Sequence, residues 1–234
     1  MNNQFSRTTI LIGESSMAKL ANARVAIFGI GGVGGYVAEA LSRSGVSSFA
    51  LIDKDVVSES NINRQIIATY NTIGQSKCEV MKDRILSINP NAKVDIYNIF
   101  YLPENSDLID FSSFDYIVDA VDTVKAKISI IKRAKELGIP IISSMGAGNK
   151  MNPTMVEVSD IYKTSVCPLA KVMRRELKKI GIKDLKVVFS KEEPIDHEQI
   201  IDPDSKKVIP GSCSFVPSVF GLVMSSEIIK DLIK

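Results

Sequence analysis

Arg24-Val25-Ala26-Ile27-Phe28-Gly29-Ile30-Gly31-Gly32-Val33-Gly34 is the stretch on which the fold turns. Its first five residues are a short apolar run that reads as a buried strand, and GxGxxG follows directly. Tyr36–Ser44 then has a helical pattern that stops at Gly45. Phe49–Ile52 is a second buried strand, and Asp53 ends it 19 residues after Gly34. Strand, glycine loop, helix, strand and terminal acid is the context that a dinucleotide fingerprint requires. Gly29, Gly31, Gly32 and Gly34 let the backbone approach a phosphate, and the helix start supplies free N–H groups. Asp53 can accept hydrogen bonds from ribose hydroxyls. The competing reading is glycines that serve tight packing alone. NAD, FAD and ATP all remain open at this point.

Outward from this stretch, strands and helices alternate. Residues 5–22 read as one helical segment with Ile10, Leu11, Met17 and Leu20 as apolar positions. Lys77–Ile88 is amphipathic. Lys93–Tyr97, Tyr116–Val118 and Ile139–Ser143 read as strands, with a helix over Val124–Leu137. This predicts an α/β, Rossmann-like, mostly parallel sheet with helices on both faces. Beyond residue 145 we expect an extension by C-terminal strands and helices: strands at Thr154–Val158 and Lys186–Phe189, and helices at Pro168–Ile180 and Val219–Ile233. Residues 190–212 are polar and read as a long loop. The expectation is one domain over 1–234, with a nucleotide-binding part at 5–150 and a substrate-side and dimerisation part at 151–234.

Composition sets outer limits. The chain has 234 residues, and 29 Lys and Arg against 27 Asp and Glu give a net charge of +2. That balance neither demands nor excludes a nucleic-acid partner. Three cysteines without a CxxC pair argue against a disulfide framework and a cysteine-built zinc site. The single histidine, His197, rules out chemistry that needs two His ligands. No signal-peptide pattern and no apolar run of about 18 residues is present, so we expect a cytoplasmic protein and no membrane partner.

The residues after Asp53 narrow the nucleotide. Asp55 is followed by Ser60-Asn61-Ile62-Asn63-Arg64-Gln65, then Gly74-Gln75-Ser76-Lys77, and much later Asp119-Ala120-Val121-Asp122 at a strand end. Arg64 and Lys77 can neutralise charge on a triphosphate, and Asp122 can hold Mg²⁺. Taken singly, Arg64 and Lys77 read as solvated charges; their joint spacing favours the functional reading. In these motifs the sequence resembles the ThiF/MoeB/HesA superfamily of adenylating enzymes. The resemblance implies that Gly32, Asp53 and Asp55 lie at ATP, and that Ser60 and Asn61 lie along its phosphates. It implies Arg64 crossing from the partner subunit of a homodimer, Lys77 on the phosphates and Asp122 supporting the metal. Arg7 sits where the family often has an arginine near the site. A monovalent cation is left open.

The superfamily's sulfur-carrier activators usually carry two CxxC pairs and a cysteine in the crossover loop, and this sequence has neither. Instead Gly146–Thr154 (GAGNKMNPT), Cys167–Leu177 and Gly211-Ser212 resemble the tRNA threonylcarbamoyladenosine dehydratases. That resemblance implies ATP-dependent adenylation of a carboxylate on a tRNA adenosine beside the anticodon. Cyclisation with net loss of water follows, and pyrophosphate and then AMP are released. Charge placement points the same way. Residues 163–191 hold nine Lys and Arg against Glu176 and Asp184. Lys171, Arg174, Arg175 and Lys178 share one helical face, a candidate RNA-binding stripe. The competing reading is a solvated face. Cys167, before Pro168 at a helix start, admits a redox or sulfur-relay role with a protein partner; Cys78 reads as packing. The rival functions are an activator of a ubiquitin-like sulfur carrier, a non-catalytic nucleotide-binding module and an oxidoreductase.

Overall fold

The computed structural model describes residues 3–196, 198, 200–201 and 208–234. His197 and part of the 190–212 connection lie outside the described residues. Seven strands form one sheet in the order β3-β2-β1-β4-β5-β7-β6. They are β1 (Arg24–Phe28), β2 (Ser48–Ile52), β3 (Lys93–Tyr97), β4 (Tyr116–Asp119), β5 (Ile141–Ser144), β6 (Val156–Asp160) and β7 (Lys186–Ser190). All neighbours are parallel except β6 and β7.

Alternation along β1 divides the core. Val25 and Ile27 point into one apolar cluster, and Ala26 and Phe28 into the other. The first cluster is closed by α3 (Gly34–Arg43), α4 (Lys77–Ile88) and α7 (Phe215–Leu232). The second is closed by α5 (Val124–Glu136) and α6 (Pro168–Lys179). Burial of both faces explains why the strands read as continuous apolar runs rather than alternating ones. From β1 the chain builds outward through β2 and β3, and it then returns to β1's other edge with β4. The cleft described below opens where that direction reverses, at the strands' carboxyl ends.

Several boundaries move from their predicted places, each for a local reason. The single N-terminal helix is two, α1 (Ser6–Ile12) and α2 (Glu14–Asn22), broken at Gly13 with φ 82° and ψ 161°. Ile10 and Leu11 are 83% and 82% exposed, whereas Leu20 is buried in the core with Ile12 and Met17 packed against it. β5 starts after Pro140, which has no N–H to give to a ladder. β6 starts at Val156, because Asn152 Oδ1 accepts from Thr154 N–H and winds Pro153–Met155 into a 3₁₀ turn. α7 starts four residues early, with Pro217 in its first turn, where a missing N–H costs no helical bond. Among the described residues no helix is long and apolar enough to cross a membrane.

α7 is pinned to the sheet through Asp231. Its carboxylate accepts from Lys186 Nζ at 2.6 Å, Tyr116 Oη at 2.9 Å and Lys234 Nζ at 2.7 Å. Burial by itself would raise this carboxyl's pKa; the bonds from Lys186, Lys234 and Tyr116 outweigh it and hold the group down to about 2. Its folded pKa thus lies below the unfolded value of about 3.9. The stabilisation is therefore complete above about pH 4 and is lost as pH falls through about 2. Urea unfolding followed across that range should show an acid limb that Asp231→Asn flattens.

Candidate active site

A cleft of about 580 Å³ lies over the ends of β1, β2 and β4. Gly29, Gly31, Gly32, Asp53, Asp55, Asn61, Arg64, Lys77 and Asp122 all line it. Gly34 and Ser60 are not part of that lining. The glycines divide their work. A Cβ on Gly34 would fall 1.9 Å from the Gly29 carbonyl oxygen, so Gly34 permits the loop to pack on the start of α3. At Gly29, with φ 89°, a Cβ would fall 2.7 Å from the Ala120 oxygen, which is how β1 and β4 close up behind the cleft. A Cβ on Gly31 would meet only Gln65 Nε2, at 3.9 Å, so the loop is open there, whereas on Gly32 it would stand 3.2 Å from Pro217 Cβ.

Asp53 ties the loop to β2. Its Oδ2 accepts from Ile30 N–H at 2.7 Å, and its Oδ1 accepts from Asp55 N–H at 2.9 Å. The carboxylate that caps this turn also borders the cleft. Lys77 opens α4 and is only 6% exposed. Its Nζ meets Asp55 Oδ2 at 3.0 Å, and its backbone N–H donates to Asp55 O at 3.0 Å. Asp55 thus aims Lys77.

Arg64 lines the cleft of its own chain. The tight turn behind it, with Arg64 and Gln65 N–H groups both donating to Asn61 O, swings the side chain inward. Its Nη1 donates to Ser60 O and Asn63 Oδ1, each at 2.8 Å. Burial lowers its pKa from an arginine's ordinary value. Among the described residues no carboxylate is within ion-pairing distance of it, so its charge is left for a ligand. Asp122 is exposed, with Thr123 Oγ1 bonding to its Oδ1 at 3.2 Å. Mg²⁺ typically takes one or two carboxylates plus substrate phosphates. Asp122 fits that donor set, and among the described residues no cluster of three or more His, Cys, Asp and Glu offers a cage.

The far wall is built by residues that sequence reasoning did not place here: Ala147, Gly148, Ile209, Pro210, Ser212 and Pro217. A Cβ on Gly148 would stand 2.9 Å from Pro210 Cβ, so the GAG segment and the end of the long connection are pressed together. Asn149, at φ 58°, makes a paired contact there: its N–H donates to Gly211 O at 2.8 Å, and its Oδ1 accepts from Gly211 N–H at 2.6 Å. The glycines of Gly146–Gly148 were the available sequence signal.

A buried pair lies directly beneath. Lys127 Nζ donates to Asp119 Oδ2 at 3.0 Å, Ser144 O at 2.7 Å and Ser143 Oγ at 3.3 Å, and neither charged side chain is exposed. It joins α5 to the ends of β4 and β5, from which the cleft segments 120–123 and 147–148 emerge.

Three expectations change. The basic face of α6 is not a stripe of four, because Arg174 turns inward onto Thr164 O and Oγ1. Lys171, Arg175 and Lys178 are exposed, with Arg175 paired to Glu176 at 2.7 Å. Cys167 is 2% exposed and packs beside Gly146, which removes the access that a sulfur relay needs. Arg7 is exposed on α1 and does not line the cleft. Cys78 is buried packing, as expected. Burial and the neighbouring Asp53 carboxylate push its thiol up to about 12.

A profile of the ThiF family matches residues 5–234. The chain belongs to the ThiF family. Within it, the tRNA threonylcarbamoyladenosine dehydratase of Bacillus subtilis is 43% identical over all of this chain and 96% of its own length. The Escherichia coli protein of that name is 39% identical over 75% of this chain, a match that spans 65% of the relative. A crystal structure of the E. coli enzyme, TcdA, in complex with AMP superposes with a TM-score of 0.89 at 34% identity. It covers 98% of this chain and 94% of that one. The same enzyme has been crystallised with ATP.

Proposed function

We propose that this chain dehydrates N6-threonylcarbamoyladenosine in tRNA at the expense of ATP. The observation that carries the reading is full-length similarity to a dehydratase of that name, on a chain whose cleft gathers Asp53, Arg64, Lys77 and Asp122. Gly31 and Gly32 let the triphosphate lie against the loop, and Asp53 accepts from the ribose hydroxyls. Ser60 stands just behind Arg64 and holds it through its carbonyl. Asp122 would hold Mg²⁺, which would supply Lewis-acid polarisation of the phosphates. The substrate carboxylate attacks the α-phosphorus and pyrophosphate departs, leaving an acyl-adenylate. Negative charge builds on the phosphates in this step, and Arg64 and Lys77 are placed to offset it. A nucleophile within the same side chain then attacks the activated carbonyl, AMP leaves, and the ring closes. No enzyme thiol is required.

The tRNA would cross the exposed side of α6. Each of Lys171→Ala and Lys178→Ala should weaken tRNA binding and reduce the slope of log affinity against log salt by about 1, with ATP affinity unchanged. A homodimer belongs to this reading, supported by the bare apolar side chains of Ile10 and Leu11 on α1; sedimentation of the wild type and of Leu11→Asp tests it. A role on tRNA goes with a cytoplasmic location. The function itself is tested by pyrophosphate release from MgATP. Release should require tRNA that carries the threonylcarbamoyl group and should be absent with unmodified tRNA. The rival, activation of a sulfur carrier, predicts release with a carrier protein instead.

A further inference from the structure

Asn63 stands next to Arg64 and has a geometry of its own. One arm of its amide faces Arg64, whose Nη1 donates at 2.8 Å. The other faces Ser212, whose carbonyl oxygen lies 3.1 Å from Nδ2. A guanidinium only donates and a carbonyl only accepts, so the amide's orientation is forced: oxygen toward Arg64, nitrogen toward Ser212. Ser212 lines the cleft at the end of the 190–212 connection. Its neighbour Gly211 is fixed on the opposite side by the paired contact with Asn149. Asn63 therefore closes a circuit from the phosphate-side arginine, through the end of the connection, to the GAG segment. All three border one cavity.

We propose that Asn63 is a positioning residue: it sets the Arg64 guanidinium and the Ser212 wall relative to each other, so that substrate-side and phosphate-side groups are aligned together. This rests on the reading that Arg64 serves the phosphates. Few side chains meet the requirement. Aspartate accepts but cannot donate, and leucine has nearly the same shape and does neither. Because Asn63 is exposed, its two bonds add little to global stability, and their value lies in geometry.

The test is single-turnover modification of substrate tRNA by wild type, Asn63→Leu, Asn63→Gln, Arg64→Ala and the double variant Asn63→Leu/Arg64→Ala. Melting temperature, ATP affinity and hydrogen exchange over residues 208–216 are followed in parallel. Asn63→Leu should lower the rate about tenfold, the loss of roughly one charge-assisted bond, at near-constant ATP affinity and melting temperature. Exchange at the end of the connection should quicken. Asn63→Gln, which keeps both functions on a longer arm, should recover more than half of the lost rate. Asn63→Leu should cost nothing further in the Arg64→Ala background, because its effect runs through Arg64. A rate for Asn63→Leu within twofold of wild type, no recovery by Asn63→Gln, or additive losses in the double variant would each overturn the inference. Those outcomes leave the role of Arg64 standing if Arg64→Ala alone is severely slowed but still measurable. An Arg64→Ala rate close to wild type instead removes the reading on which the inference rests.

Discussion

Arg64→Ala should reduce turnover roughly 10³-fold or more, the scale on which an arginine at a transferring phosphoryl group acts. The magnitude follows from the arrangement. The guanidinium lines the cleft, its nearest partners are the neutral Ser60 O and Asn63 Oδ1, and no carboxylate neutralises it among the described residues. Lys77 is different, because Asp55 already holds it at 3.0 Å. Removing Arg64 therefore takes the less compensated positive charge from beside the phosphates. If Arg64 acts in the cleft that it lines in its own chain, mixing Arg64→Ala subunits with subunits disabled at Lys77 should restore nothing. Partial restoration, from the one intact site in each mixed dimer, would mean that the arginine works across a subunit boundary. Rapid-quench measurement of AMP formation separates this loss from any change in tRNA affinity.

Lys127→Met should be the most destabilising single change near the site. It leaves the Asp119 carboxylate fully buried with only Ser143 Oγ as donor, since its Oδ1 has no partner among the described residues. Breaking a buried pair in this way costs about 3–5 kcal/mol, whereas replacing both partners with apolar groups is often neutral. Lys127→Met should therefore lower the urea midpoint substantially, and Lys127→Met/Asp119→Leu should regain most of the loss. Equal instability of the single and double variants would show that the network matters through packing rather than through uncompensated charge.

Local signals carried much of this architecture. α4 runs from Lys77 to Ile88, as its apolar spacing predicts, because Ser76 accepts from Glu79 N–H and Met81 and Ile85 fall on one face. β3 likewise keeps its predicted ends. The glycine loop and the acid ending β2 are close in sequence, so half of the cleft is a local fact. The other half is not. Gly148, Pro210 and Pro217 reach the cleft only because β5 and β7 lie side by side and α7 returns across the sheet. Helical spacing assigned Arg174 to an outer face but held no information about Thr164, ten residues earlier, which draws it inward. Lys127 reads as one of several charges on α5. Its burial becomes intelligible only when Asp119 and Ser144 are seen to converge on it.

The central claim is that this cleft adenylates a tRNA-borne carboxylate and thereby drives loss of water. The most direct measurement incubates the protein with MgATP and tRNA carrying threonylcarbamoyladenosine, digests the RNA and weighs the nucleosides by mass spectrometry. The account predicts a nucleoside lighter by one water that is not formed without ATP and nearly disappears with Arg64→Ala. An unchanged nucleoside, in a preparation that still converts ATP to AMP with a carrier protein's terminal carboxylate, would contradict it and make the sulfur-carrier reading the correct one.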